Sequence, residues 1–258
     1  MNKVKHLVAA LACFGAAGVC SAGTVRVGFA NPIFGGLGYD SVQINFANPG
    51  SGGGTSTHNV AAGRFQGIGS ELVGAPESIF PDGLNNLYLY CYDIYQTINH
   101  GQSLVYTINF NGELARTLDF LGAVNTVMNG SKSLGDAGYD PYAWLHPVNG
   151  SQGAAIQLGI WESKYETDAN WDLSKGTFIA SGLDGSTGNW WNSFKGRISD
   201  TNAVSAEFVM TLDNPNFQDM ITGDPPAPVP EPGSLALLGV ALAALAYIHT
   251  QRKKLAPI

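Results

Sequence analysis

The sequence predicts a mainly β central domain, an antiparallel sandwich or barrel-like body with one or two inserted helices, lying between two short end segments. Three observations carry this expectation. Apolar and polar residues alternate over several short runs, two longer segments repeat apolar residues at helical spacing, and each end holds an apolar stretch flanked by Lys or Arg. No period of solenoid or propeller length interrupts the pattern.

Taken in order, Val25, Val27 and Phe29 form the first alternating run, and Val42, Ile44 and Phe46 the second, closed by Asn48-Pro49-Gly50. Both read as half-buried strands. The Gly/Ser/Thr-rich residues 49–57 read as a flexible loop without the Gly-Lys-Ser/Thr that cradles phosphate, which excludes a nucleotide site there. Strands are expected over 86–96 and 103–110, joined by the turn Asn99-His100-Gly101. Leu114, Leu118, Leu121 and Met128 recur at spacings of four, three and seven, a helix stopped by Asn129-Gly130. A second helix over 151–166 is apolar nearly all round from Ala154 to Trp161, so it should be buried. Residues 182–189 are turn-rich, and Val204, Ala206, Phe208, Met210 and Leu212 mark a last strand.

The two ends read as addresses. Lys3 and Lys5 precede an apolar run too short for an ordinary membrane span, followed by small residues, which is the layout of a signal peptide over 1–22 cut between Ala22 and Gly23. The expected exported domain covers 23–223, a Pro-rich linker 224–233, and an apolar helix with a basic tail 234–258. The apolar part, 234–248, spans roughly 22 Å as a helix against a hydrocarbon core of roughly 30 Å. It would insert in a membrane only transiently, with Arg252, Lys253 and Lys254 on the cytoplasmic side. Between the ends, residues 23–229 hold 19 acids against 8 bases, a net of −11. That balance argues against nucleic acid as a partner, since phosphate binding rests on clustered Lys and Arg.

Val229-Pro230-Glu231-Pro232-Gly233-Ser234-Leu235, the apolar run behind it and the basic stop together resemble the PEP-CTERM anchor, also called the ice-binding-protein C-terminal motif. The resemblance implies export in a Gram-negative bacterium that makes exopolysaccharide, recognition of Pro230, Glu231 and Pro232 by an exosortase, and removal of the apolar tail. It says nothing of what the exported domain does.

One constellation in that domain carries chemistry. Two of the three cysteines, Cys13 and Cys20, lie in the signal peptide, leaving Cys91 alone in the aromatic strand Leu87-Tyr88-Leu89-Tyr90-Cys91-Tyr92. A lone thiol in an oxidising compartment is buried and inert, bonded to another chain, or chemically committed. Strand parity puts Cys91 on the core-facing side with Leu87 and Leu89. Gln157 stands in the middle of the apolar helix, where an unpartnered amide would cost about 1–3 kcal/mol. Cys in a Tyr-Cys strand, followed by Gln in Ile-Gln-x-x-Ile-Trp, resembles the thioester domains of bacterial surface adhesins. The resemblance implies Cys91 as the thiol, Gln157 as the acyl donor, Trp161 as a water-excluding neighbour, and surface amines or hydroxyls as acceptors. The plainer reading makes Cys91 a small core residue and has Gln157 bond a neighbouring backbone group.

Other constellations are weaker. Glu162 and Glu166, with Asp168 and Asp172 nearby, form an i, i+4 acidic pair that a polysaccharide-acting enzyme would use as two carboxyls, although such a pair ordinarily marks a solvated face. His58, His100 and His146 lack metal-ligand spacing, and no motif implies a cofactor. Trp144, Trp171, Trp190 and Trp191 with Tyr139 and Tyr142 read as aromatic core before sugar-stacking faces. Asp184-Gly185 and Asp213-Asn214-Pro215 read as turns. The leading expectation is therefore a non-enzymatic surface or exopolysaccharide-matrix protein, exported through the Sec machinery and sorted by an exosortase. A covalent adhesin using Cys91 and Gln157 is the alternative.

Overall fold

The computed structural model describes residues 23–47, 54–110 and 112–225. The predicted signal peptide with Ala22, the sorting motif Pro230-Glu231-Pro232 and the apolar tail lie outside the described residues.

Six antiparallel strands close a barrel in the order β1 (Thr24–Phe29), β4 (Phe65–Val73), β5 (Leu87–Cys91), β9 (Met220–Gly223), β8 (Val209–Asp213) and β6 (Ser103–Asn109). A three-stranded sheet of β3 (Thr55–Ala62), β2 (Asp40–Ala47) and β7 (Phe178–Ser181) stands beside it. The expected mainly β, barrel-like body is what the chain forms. Alternation explains β1, whose Val25 and Val27 are fully buried while Arg26 points out and pairs with Glu71 at 2.8 Å. It also explains β2, where Val42, Ile44 and Phe46 are each 1% exposed.

Among the described residues there are three α-helices: α1 (Ala115–Met128), α2 (Gly150–Tyr165) and α3 (Gly185–Lys195). Asn149 caps α2 by accepting a hydrogen bond from the Gln152 amide at 2.9 Å. From Gln152 to Ser163 every residue of α2 is buried, as its all-round apolar character predicts. The helix packs on all three strands of the second sheet, on β5 of the barrel, and on α1 and α3. It therefore ties the two sheets together.

Several expectations need correction. Thr55, Ser56 and Thr57 belong to β3, not to a loop, because β3 pairs with β2 without a break from Asp40↔Ala62 to Ala47↔Thr55. The strand expected over 86–96 stops at Cys91, and the strand expected from Val204 starts only at Val209, after a 3-10 turn over Ala206–Phe208. The turn-rich stretch 182–189 opens α3, with Asp184 as its N-cap accepting from the Thr187 amide. Strands β4, β7 and β9 were not foreseen. Asp213-Asn214 does turn, with Asn214 Oδ1 accepting from the amides of Asn216 and Phe217.

Candidate functional site

The site lies where β5 ends and α2 crosses it. Strand β4 starts at Phe65, opposite Leu89, so its ladder stops two residues short of Cys91. On the other side β5 is paired with β9 through Tyr90↔Ile221 and Cys91↔Met220. The Cys91 peptide thus has one edge without a strand. Gln157 fills it: the Cys91 N–H donates to Gln157 Oε1 at 2.8 Å, and Gln157 Nε2 donates to the Cys91 carbonyl at 2.8 Å. The side-chain amide takes the place of a strand peptide, at a residue with no solvent exposure. Two residues singled out 66 positions apart in the sequence are in direct contact.

Cys91, in no disulfide among the described residues, is 2% exposed. Burial pushes the thiol well above its ordinary value, and the neighbouring Asp93 adds to the rise. Asp93 is itself raised to about 6, first by burial and then by Asp219 nearby. Its Oδ2 accepts from the Asp219 amide at 3.1 Å, while Oδ1 has no partner. The flanking tyrosines hold the strand on its other face. Tyr90 stacks on Trp144 at 5.8 Å and donates to its carbonyl at 3.1 Å, and the Tyr92 hydroxyl oxygen accepts from the Leu114 amide at 2.8 Å. Both faces of β5 are therefore buried, where parity alone offered one.

A cavity of about 710 Å³ opens beside the thiol, with Cys91 and Trp161 among its walls. Its other walls come from β2, from β3, from Phe65 at the start of β4, from the segments 33–34 and 94–98, and from Gln218. His58 and Asn59 on β3 were missed as wall residues because no strand was expected there, the loop reading covering the first residues of β3 up to Thr57; the β-branched Thr55, Thr57 and Val60 were the available signal.

The remaining candidates are placed as follows. Glu162 and Glu166 are 0% and 6% exposed, so they are not a solvated face. Glu166 accepts from the amides of Asp168, Thr177 and Phe178, bonds that hold its carboxyl below its ordinary value against the opposing effect of burial. Glu162 accepts from the Asp172 amide at 2.9 Å, and burial raises it to about 7. His146 pairs with Asp82 at 3.0 Å, His58 stacks on Phe46 at 5.7 Å, and His100 is exposed. Among the described residues no group of three His, Cys, Asp or Glu is arranged to hold a metal ion. Trp144 and Trp191 are buried, and Trp171 stacks on Phe120 at 5.7 Å. No described helix is long and apolar enough to cross a membrane.

Residues 228–253 match the family model of the PEP-CTERM protein-sorting motif. The chain is thus an exported protein sorted by an exosortase and anchored transiently in the membrane before surface delivery. No curated protein and no solved structure matches the chain.

Proposed function

We propose that this is a non-enzymatic surface or exopolysaccharide-matrix protein, exported by the Sec machinery of a Gram-negative bacterium, whose domain attaches covalently through a thioester between Cys91 and Gln157. The contact of the Gln157 carboxamide with the Cys91 peptide carries the reading. In the bond-forming step Cys91 Sγ attacks Gln157 Cδ, the Cδ–Nε2 bond breaks, and the thiol proton leaves with Nε2 as ammonia. The Cys91 N–H already lies at 2.8 Å from Oε1, where negative charge develops during attack, so the strand supplies its own oxyanion donor. The Cys91 carbonyl orients the leaving nitrogen. A surface amine then attacks Cδ, forms an amide, and returns the thiol. Burial of both residues keeps water from competing with that acceptor.

Intact mass of the secreted protein, beside its Cys91→Ala variant, tests this. The expected result is a mass lower by one ammonia, absent in the variant, with methylamine converting it to an adduct. The full unmodified mass with a thiol that titrates on unfolding would return both residues to the core. The reading as a polysaccharide-acting enzyme draws less support, because Glu166 spends its carboxyl on backbone amides and Glu162 has no exposed surface.

A further inference from the structure

We infer that the cavity beside Cys91 receives the uncharged, ring-bearing body of the acceptor, so that the acceptor is an arylalkylamine; this substrate class rests on the thioester reading above. The volume, about 710 Å³, falls in the range of sites for whole small molecules rather than a single aliphatic side chain. Six rings line it: Phe34, Phe46, His58, Phe65, Tyr95 and Trp161. None of its wall residues is Lys, Arg, Asp or Glu, so nothing there compensates a charge carried on the body of the occupant.

The rings are held before any ligand arrives. Phe34 and Phe65 lie with centroids 5.0 Å apart, Phe46 and Tyr95 at 5.6 Å edge to face, and His58 stacks on Phe46. The walls also have a direction. His58 and Tyr95 are exposed while Cys91 and Trp161 are 2% exposed, so an entering molecule meets the rim first and the thiol last. An amine leading an aromatic body would meet the Cys91 wall, the half of the thioester that the cavity touches, with its ring left among the wall rings. Asn59, Gln96, Thr97 and Gln218 supply the few polar contacts that orient it.

The test uses the mature secreted protein with 2-phenylethylamine as the arylalkylamine, methylamine as the amine without a body, and glucosamine as the polar ring. In the Cys91→Ala variant, which cannot form the thioester, calorimetry should show saturable binding of 2-phenylethylamine at about 1 mM or tighter. Methylamine and glucosamine should show none over the same range. In the native protein, adduct formation at equal free-base concentration should be at least about tenfold faster with 2-phenylethylamine than with methylamine. Filling the cavity by Val60→Trp should bring that ratio to near one. The milder rim variant Tyr95→Ala, at a side chain 46% exposed, should lower it about threefold and guards against a folding failure of the first. No saturable binding in Cys91→Ala, or a rate ratio near one in the native protein, would overturn the inference. A native protein that keeps its ammonia but whose Cys91→Ala variant binds 2-phenylethylamine would sink the thioester and leave the cavity as an aromatic-ligand site.

Discussion

Removing the Gln157 amide should expose how much of the fold depends on one side chain. The measurement belongs in the Cys91→Ala background, where no covalent bond is possible and the amide keeps both contacts to the residue 91 peptide. Gln157→Ala then leaves a backbone N–H and a carbonyl without partners, each previously bonded at 2.8 Å beneath a residue with no exposure. Each orphaned group costs about 1–3 kcal/mol, so the pair should cost about 2–6 kcal/mol, a large share of the roughly 5–15 kcal/mol of an ordinary domain. Urea unfolding followed by tryptophan fluorescence measures it. Gln157→Glu makes the internal comparison: its protonated form can still donate to the carbonyl, whereas its ionised form faces that carbonyl with a negative charge. Its carboxyl should therefore titrate above the ordinary range when folded, and the variant should lose stability as pH rises from 5 to 8. A loss under about 1 kcal/mol for Gln157→Ala would refute the claim that the amide completes the strand edge.

Two further outcomes follow from the core around α2. Glu162 is raised from its ordinary 4.5 to about 7 by burial, so in that interval the folded chain holds a proton that the unfolded chain has released, and stability falls as pH rises. That amounts to about 3 kcal/mol between pH 5 and 8, and Glu162→Gln, which keeps an acceptor for the Asp172 amide, should remove it from urea titrations at the two pH values. Gly159→Ala should destabilise by about 1–3 kcal/mol despite the better helix former, because the added Cβ would enter the ring of Phe120. That ring is hemmed by Trp171, Trp191 and Phe194 and cannot swing aside; a variant more stable than the parent would contradict this packing.

What the sequence made legible divides along physical lines. Strands β1, β2 and β6 and helices α1 and α2 were readable because each buries one face or all of them, and that leaves a period in the sequence. β3 was not, since its Thr, Ser, His and Asn side chains are mostly exposed and only its pairing with β2 makes it a strand. β9 and β7 have four residues each, too few to show a period, and are specified by the neighbours that accept them. α3 hid behind glycines and serines, although Asp184, three residues before Thr187, is the cap a helix start requires. For the site, Cys91 and Gln157 stood out as chemical misfits in apolar surroundings. The cavity did not, because its walls come from segments far apart in the chain that only the two sheets and α2 bring together.

The clamp at residue 91 also separates what structure demands from what chemistry demands. Because β4 begins at Phe65, the peptide at 91 needs a partner from α2, and an amide at 157 supplies both a donor and an acceptor. Fold stability alone therefore accounts for Gln157. It does not account for Cys91, since the clamp touches only backbone atoms and any small residue at 91 would present the same N–H and carbonyl. In an exported chain a thiol is open to oxidation and exchange wherever small molecules reach it, and Cys91 is a wall of the cavity. The side chain that the clamp leaves unexplained is the nucleophile that the thioester needs, on the same residue whose N–H holds the Gln157 carboxamide at its oxygen. If Cys91→Ala matches the parent in stability while losing the ammonia-deficient mass and the methylamine adduct, the thiol is there for chemistry; if parent and variant share the unmodified mass, it is there by packing alone.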